Sequence, residues 1–176
     1  GVICASLLNK GTTTIKNAPR IEDVYRIVDV LESIGVKIEW KTRGKNNDLI
    51  ITPPKKVGIE KIDTKIAEQM AQTRGGIMLM GPLIHDFNSF KLPQAGGCRL
   101  GSRTVKPYFY SFENLGVKIE TKSNYYEISH KGLKSSEIVL YEAGDTVTET
   151  VLMAAARIPG KTIIKFASSN YQVQDV

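Results

Sequence analysis

Apolar residues recur at i, i+3, i+4, i+7 and i+10 in two separate stretches of the chain. The first set is Val24, Ile27, Val28, Leu31 and Ile34; the second is Val105, Tyr108, Phe109, Phe112 and Leu115. This spacing predicts an amphipathic helix with one buried stripe in each stretch. A glycine follows each stripe, Gly35 and Gly116, suited to the left-handed position that stops a helix. Alternating residues come next, Val36-Lys37-Ile38-Glu39 and Val117-Lys118-Ile119-Glu120, as expected of a short strand with one buried face. A polar turn and a second strand, near Asp48–Thr52 or Tyr125–Ser129, end each unit. The two copies are offset by 81 residues, so the chain repeats itself.

A third, partial copy closes the sequence. Leu7-Leu8, Gly11 and Thr12-Thr13-Thr14-Ile15-Lys16-Asn17-Ala18 resemble Leu152-Met153, Gly160 and Lys161-Thr162-Ile163-Ile164-Lys165-Phe166-Ala167. Each predicts a helix, a glycine stop and a β-branched strand, and Asp23-Val24 at the next helix has a counterpart in Asp175-Val176. Val2, Ile3 and Leu7 are apolar with no capping residue before them, so the chain is expected to begin inside a helix. It is expected to break off as a third helix–strand–strand unit starts, with both ends cut. One domain is anticipated over 1–176, with repeats at about 1–56 and 57–140 and the start of a third at about 141–176.

Composition narrows the class. Apolar residues make up 41% and charged residues 24% of the chain, the balance of a soluble globular domain. No stretch approaches the roughly 20 apolar residues that span a bilayer, and no charged-then-apolar leader opens the chain. The expected compartment is therefore the cytoplasm, with no membrane partner. Cys4 and Cys98 form no metal-ligand spacing and only His85 and His130 are present, so no metal site is expected. The net charge of +6 favours an anionic partner. Lys and Arg are scattered among the acids without interleaved aromatics, so a phosphate-bearing small molecule is expected rather than nucleic acid.

The segment 87–103 is the only long stretch without clear periodicity, although Phe90-Lys91-Leu92 fits a short strand. Within it, Gly96, Gly97 and Gly101 give backbone freedom around Cys98, and Arg99 and Arg103 flank the thiol. A nearby cation favours thiolate. The second helix starts just beyond Arg103, with Thr104 or Ser102 as the candidate N-cap and Pro107 in its first turn. Unpaired backbone N–H groups there, together with Arg103, would seat a phosphate or carboxylate. On spacing alone, an ordinary glycine-rich loop with an incidental cysteine reads equally well.

At these residues the chain resembles a family. Leu92-Pro93 and Gly96-Gly97-Cys98-Arg99-Leu100-Gly101-Ser102-Arg103 are similar to the Leu-Pro-Gly-Gly-Cys-x-Ile-Gly-x-Arg loop of UDP-N-acetylglucosamine enolpyruvyl transferases. Arg74 with Leu79-Met80-Gly81-Pro82-Leu83 resembles that family's Arg-Ala-Ser…Leu-Gly-Pro-Leu segment, and Thr148-Glu149 with Leu152-Met153-Ala154-Ala155 resembles its Ala-Thr-Glu-Asn-x-x-Met-Ala-Ala helix. The resemblance implies an inside-out α/β barrel-type fold built from βαβαββ repeats. It also implies transfer of the enolpyruvyl group of phosphoenolpyruvate to the 3′-hydroxyl of UDP-N-acetylglucosamine, with no metal or organic cofactor. Cys98 would then be the acid that protonates the enolpyruvyl methylene, on a mobile lid. Arg74 and Arg103 would hold anionic substrate oxygens, Thr104, Val105 and Lys106 would line the UDP side, and Gly144 and Asp145 would form a second UDP-binding turn. The resemblance further implies a second domain and a Lys-Asn pair just before Gly1, neither of them in this chain. The sister family, the enolpyruvylshikimate-phosphate synthases, shares the fold but lacks the cysteine.

Three departures stand out. Gln94-Ala95 lengthens the cysteine loop, Thr104 and Lys106 replace a proline and an aspartate, and Ala143-Gly144-Asp145-Thr146 replaces a Ser-Val-Gly run. Elsewhere the expectations are structural. Cys4 reads as a small buried hydrophobe, and Met70, Met78 and Met80 as core of a helical stretch interrupted by Gly75-Gly76. Trp40 and Tyr125-Tyr126 read as strand residues, His85 and His130 as exposed turn residues, and Asp145 also as an N-cap.

Overall fold

The structure is a computed structural model that describes residues 1–44, 46–59, 67–68, 70, 75–94 and 104–176. The two repeats fold alike. In the first, α1 (Val2–Ala5) runs into a 3-10 turn at Ser6–Leu8, followed by β1 (Thr13–Ile15), α2 (Glu22–Ser33), β2 (Lys37–Arg43) and β3 (Asn46–Thr52). In the second, the short helices α3 (Gly75–Met78) and α4 (Met80–Leu83) precede β4 (Ser89–Pro93), α5 (Lys106–Asn114), β5 (Val117–Thr121) and β6 (Tyr125–His130). Each unit builds a three-stranded antiparallel sheet in the same order, β1-β3-β2 and β4-β6-β5. The central strand is therefore the last in sequence. Ile38 pairs with Ile51 in one sheet and Ile119 with Ile128 in the other, so the same apolar face is buried twice.

The helices carry the stripes expected of them. Val28, Leu31 and Ile34 are buried in the first unit and Tyr108, Phe112 and Leu115 in the second, with Val24, Ile27, Val105 and Phe109 packed against the core at its margin. Both helices end on a left-handed glycine, Gly35 at φ 94° and Gly116 at φ 88°. Both leave their last apolar residue's carbonyl to a later segment: Ile34 O accepts from Gly58 N and Leu115 O from Lys134 N. These repeated details show that the offset in sequence is an offset in structure.

The third copy has β7 (Glu137–Val139), α6 (Asp145–Ala155), β8 (Ile163–Lys165) and α7 (Tyr171–Gln174). β7 and β8 pair in parallel, Glu137 with Ile163 and Val139 with Lys165, so α6 is the crossover between them. α7 starts at Tyr171 with Asn170 as its N-cap, ahead of the Asp175-Val176 position expected from sequence. Its start keeps the 149-residue offset that relates Gly11 to Gly160. The same offset relates the two non-glycine residues in the left-handed region, Asn17 at φ 55° and Phe166 at φ 59°. This bend after the first strand of a unit is held by position, because asparagine and phenylalanine share no side-chain chemistry.

The core is continuous. Met70, Met78 and Met80 are buried, as is Cys4, which is 2% exposed. Burial pushes the Cys4 thiol up to about 11, so it stays protonated and inert near neutrality. Gly75 and Gly76 open α3. A Cβ at Gly76 would sit 3.2 Å from the Met70 Cβ, which accounts for the small residue at that point. No helix among the described residues is long and apolar enough to cross a membrane.

The two histidines are half-buried ties, not exposed turn residues. The His85 ring donates from Nε2 to the Met153 carbonyl at 3.1 Å, joining the end of α4 to α6. His130 Nε2 faces the carbonyls of Ile84 and Phe87, and its Nδ1 accepts from Gly132 N. Burial, with a smaller push from Arg157, lowers the His85 pKa from 6.5. A histidine depressed on folding binds more protons in the unfolded chain, so its contribution is complete above about pH 6.5 and lost as pH falls through the depressed value. Chemical denaturation of wild type and His85→Gln between pH 7.5 and 5 should therefore show a steeper acid loss in wild type. Parallel curves would contradict it.

Candidate functional site

Three residues expected at the site come together. Thr104, Gly144 and Asp145 line one cleft of about 600 Å³, with Glu142, Ala143, Ser168 and Asn170. The cleft lies where the starts of α5 and α6 approach each other, and the Tyr108 hydroxyl ties the two helices by a 2.6 Å hydrogen bond to Thr146 Oγ1. Val105 is the N-cap of α5 and Lys106 its first residue, exposed beside Thr104. Cys98, Arg103 and Arg74 lie outside the described residues, as do Arg99 and the rest of 95–103.

The two limbs of the cysteine loop are nevertheless placed. β4 ends at Pro93, and Gln94 follows with its backbone N–H on Asn124 O and its side-chain amide on Lys122 O at 2.6 Å. The residue that departs from the family pattern thus fastens the loop's entry to the β5–β6 turn. Thr104 marks its exit.

The start of α5 differs from expectation. Thr104 Oγ1 accepts the Lys106 N–H at 3.2 Å, Pro107 has no N–H, and the N–H groups of Tyr108 and Phe109 both reach Val105 O. The anticipated row of unpaired backbone donors is therefore mostly consumed. What remains for an anion is the helix dipole and the Lys106 ammonium, with no acid in the first turn.

The start of α6 has the opposite character. Gly144 is the N-cap and Asp145 the first helical residue, so Asp145 does not cap as its own side chain would. Its carboxylate instead accepts from Ser168 Oγ at 2.5 Å and from Asn170 Nδ2 at 3.2 and 3.0 Å. These two donors, Ser168 first, hold Asp145 below the usual carboxylate range, so it is ionised at neutral pH. A carboxylate has about four lone-pair positions and three are used, which leaves about one for a ligand. Glu142 leans over the same helix start: a Cβ on Gly144 would meet its Oε1 at 3.3 Å.

Buried threonines set this rim. Thr148 Oγ1 donates to Gly144 O at 2.8 Å and accepts the Ser168 N–H at 3.1 Å, while Thr150 Oγ1 donates to Thr146 O. Thr148 thereby fixes the turn after β8 against α6. The adjacent Glu149 is buried, and that burial raises its pKa. The Leu-Gly-Pro-Leu-like segment also has a packing reason. A Cβ at Gly81 would meet Thr150 O at 2.7 Å and the Met153 Cβ at 2.9 Å, so α4 and α6 touch backbone to backbone there.

Glu142, Ser168 and Asn170 were not singled out from sequence. Ser168-Ser169-Asn170 does carry a turn signature, but nothing in it tells that the turn folds back onto the start of a helix 23 residues earlier.

Comparison with known proteins gives the family and the fold. The model of the EPSP synthase (3-phosphoshikimate 1-carboxyvinyltransferase) family matches residues 1–176, and the chain belongs to that family. Within it, the chain is 36% identical over 176 residues to the UDP-N-acetylglucosamine 1-carboxyvinyltransferase of Treponema denticola, covering 99% of this chain and 39% of that protein. It is 31% identical over 175 residues to UDP-N-acetylglucosamine 1-carboxyvinyltransferase 2 of Clostridium tetani, covering 99% of this chain and 40% of that one. The chain thus spans about two fifths of the length of these curated relatives. Among solved structures, the enolpyruvyl transferase NikO from Streptomyces tendae superposes with a TM-score of 0.75 at 13% identity, over 98% of this chain and 39% of its own. EPSP synthase from Acinetobacter baumannii superposes at 0.66 with 17% identity, over 98% of this chain and 40% of its own. The fold is that of the enolpyruvyl transferases, represented here in part.

Proposed function

We propose that the full-length protein containing this chain transfers the enolpyruvyl group of phosphoenolpyruvate to the 3′-hydroxyl of UDP-N-acetylglucosamine, the first committed step of peptidoglycan precursor synthesis. The observation that carries this reading is the set of curated relatives, 27–36% identical over almost the whole chain, that bear the name UDP-N-acetylglucosamine 1-carboxyvinyltransferase. The meeting of Thr104, Gly144 and Asp145 in one cleft supports it.

In this reading the sugar hydroxyl's O–H bond breaks, its proton passing to solvent, as the oxygen adds to C2 of phosphoenolpyruvate and the C3 methylene takes a proton from the Cys98 thiol, giving a tetrahedral adduct and a thiolate. The thiolate then takes back a C3 proton as the C2–O bond to phosphate breaks, leaving the enolpyruvyl ether and free phosphate. A thiol suits the task because its pKa is within reach of neutrality and adjacent cations tune it. Arg74 and Arg103 hold anionic oxygens, since a planar guanidinium can offer two parallel hydrogen bonds. Lys106 and Val105 belong to the UDP side. The second domain supplies the facing wall of the cleft, so this chain without it is expected to show no turnover. The expected compartment is the cytoplasm.

Fosfomycin, an epoxide that alkylates the family's loop thiol, gives the test. Mass spectrometry of the treated full-length protein in the presence of UDP-N-acetylglucosamine should find the adduct on the peptide with Cys98 and none on buried Cys4. Labelling of Cys4 alone would overturn the assignment. Inhibition by glyphosate with indifference to thiol alkylation would instead identify a shikimate-type synthase.

A further inference from the structure

β1 and β4 occupy the same place in their units, and the chain leaves them differently. Ile38 and Ile119 are counterparts by the 81-residue offset, and they pair with Ile51 and Ile128 on the central strands. Two residues earlier on those strands, Leu49 pairs with Ile15 and Tyr126 with Leu92. Asn17 and Gln94, each two residues farther along, therefore hold matching positions. Asn17 bends into the left-handed region at φ 55°, as Phe166 does in the third unit at φ 59°, whereas Gln94 does not. Gln94 instead adds one rung to the β4–β6 ladder. Its N–H donates to Asn124 O at 3.1 Å, directly beyond the Pro93–Tyr125 pair. Its half-buried side-chain amide donates to Lys122 O at 2.6 Å.

The turn that receives these two bonds is itself tied. Lys122 N donates to Tyr125 O at 2.9 Å, which closes it. The Lys122 ammonium lies 2.7 Å from Glu120 and 3.7 Å from Glu127, and the Lys91 ammonium sits 4.9 Å from the Tyr125 ring centre. Gln94 is thus fastened to a part of the sheet that does not depend on it. Gln94 and Ala95 are also the two residues by which the cysteine loop exceeds the family pattern. Added residues give a loop more conformations, so a group it carries is held less closely. Fixing Gln94 to the β5–β6 turn takes one of the two extra residues out of the free span.

We propose that Gln94 is a positioning residue for the Cys98 thiol: its hydrogen bonds to Lys122 O and Asn124 O offset the slack that the two-residue extension brings. This rests on the enolpyruvyl-transfer reading above and deepens it. The extension and the anchor then belong together, so losing the anchor alone is worse than losing both residues.

The experiment compares full-length wild type with Gln94→Met and with a variant lacking Gln94 and Ala95. Methionine keeps the side chain's length and the backbone N–H and removes only the donor to Lys122 O. Phosphate release gives kcat, calorimetry gives UDP-N-acetylglucosamine affinity, and mass spectrometry gives the rates at which fosfomycin and iodoacetamide label Cys98. Iodoacetamide needs only an accessible thiolate, whereas fosfomycin is opened by a thiol held in the substrate site. Gln94→Met is expected to lower kcat and the fosfomycin rate by about 10- to 100-fold, the scale of a slightly misplaced reacting group. Affinity, the iodoacetamide rate and the urea midpoint should stay as in wild type. The shortened variant has the family's loop length and should keep kcat near wild type. Wild-type kcat and labelling in Gln94→Met would overturn the proposal, as would a shortened variant no more active than Gln94→Met. A loss accompanied by a lower urea midpoint would also overturn it, since Gln94 would then tie the fold and not the thiol. Wild type that neither turns over nor reacts with fosfomycin would sink the transfer reading together with this one. An active wild type whose chemistry ignores Gln94 would sink this one alone.

Discussion

Cys98→Ala in the full-length protein is expected to lower kcat by at least about a hundredfold while leaving UDP-N-acetylglucosamine affinity within about threefold. A positioned general acid contributes roughly 10²–10⁴ to a rate, and alanine can neither donate a proton nor take one back. The sugar nucleotide is assigned to other groups, at the starts of α5 and α6, so its binding should survive. The split between kcat and affinity is the informative feature. A variant that lost both equally would point to a collapsed loop, and one that kept full kcat would remove the thiol from the chemistry. Steady-state phosphate release paired with calorimetry of UDP-N-acetylglucosamine makes the distinction.

The largest stability effect is expected at Gly81. Alanine there would place its Cβ 2.7 Å from the Thr150 carbonyl oxygen and 2.9 Å from the Met153 Cβ. Neither neighbour is the free end of a flexible side chain, so α4 must move away from α6. Overpacking of this kind costs about 1–3 kcal/mol and occasionally more. α6 also carries Gly144 and Asp145, so the same displacement should open the cleft and weaken nucleotide binding. Gly11→Ala is the control, because its nearest neighbour would be Asn9 Oδ1 at 3.6 Å, an ordinary contact. Urea unfolding should show a lower midpoint for Gly81→Ala and little change for Gly11→Ala. Equal midpoints in all three proteins would contradict the packing account.

Local patterns made most of the repeated architecture legible. The stripes of α2 and α5, their terminal glycines and the alternation in β2 and β5 are encoded within a dozen residues each, and they appear where the periodicity puts them. β7 was not visible, because three residues without turn signals make a weak strand and its parallel partner β8 lies beyond an entire helix. The left-handed bend at Phe166 was equally silent, since phenylalanine, unlike the asparagine at position 17, carries no signal for it.

At the site, Thr104 and Asp145 were named by resemblance, but their surroundings come from tertiary folding. Thr104 was a candidate N-cap from sequence, yet the cap is Val105, and sequence could not show that Thr104 Oγ1 and Val105 O between them take up the donors expected to be free at this helix start. Nor could it show that Ser168 and Asn170 clamp Asp145 from another turn. A helix terminus alone suggests an anion seat; the side chains brought to it decide its sign.

The most direct measurement is mass analysis of the products formed by the full-length protein from phosphoenolpyruvate and UDP-N-acetylglucosamine. The account predicts one new UDP-sugar heavier by an enolpyruvyl group, with one phosphate released per molecule made. Unchanged UDP-N-acetylglucosamine beside a product made from shikimate 3-phosphate and phosphoenolpyruvate would contradict it.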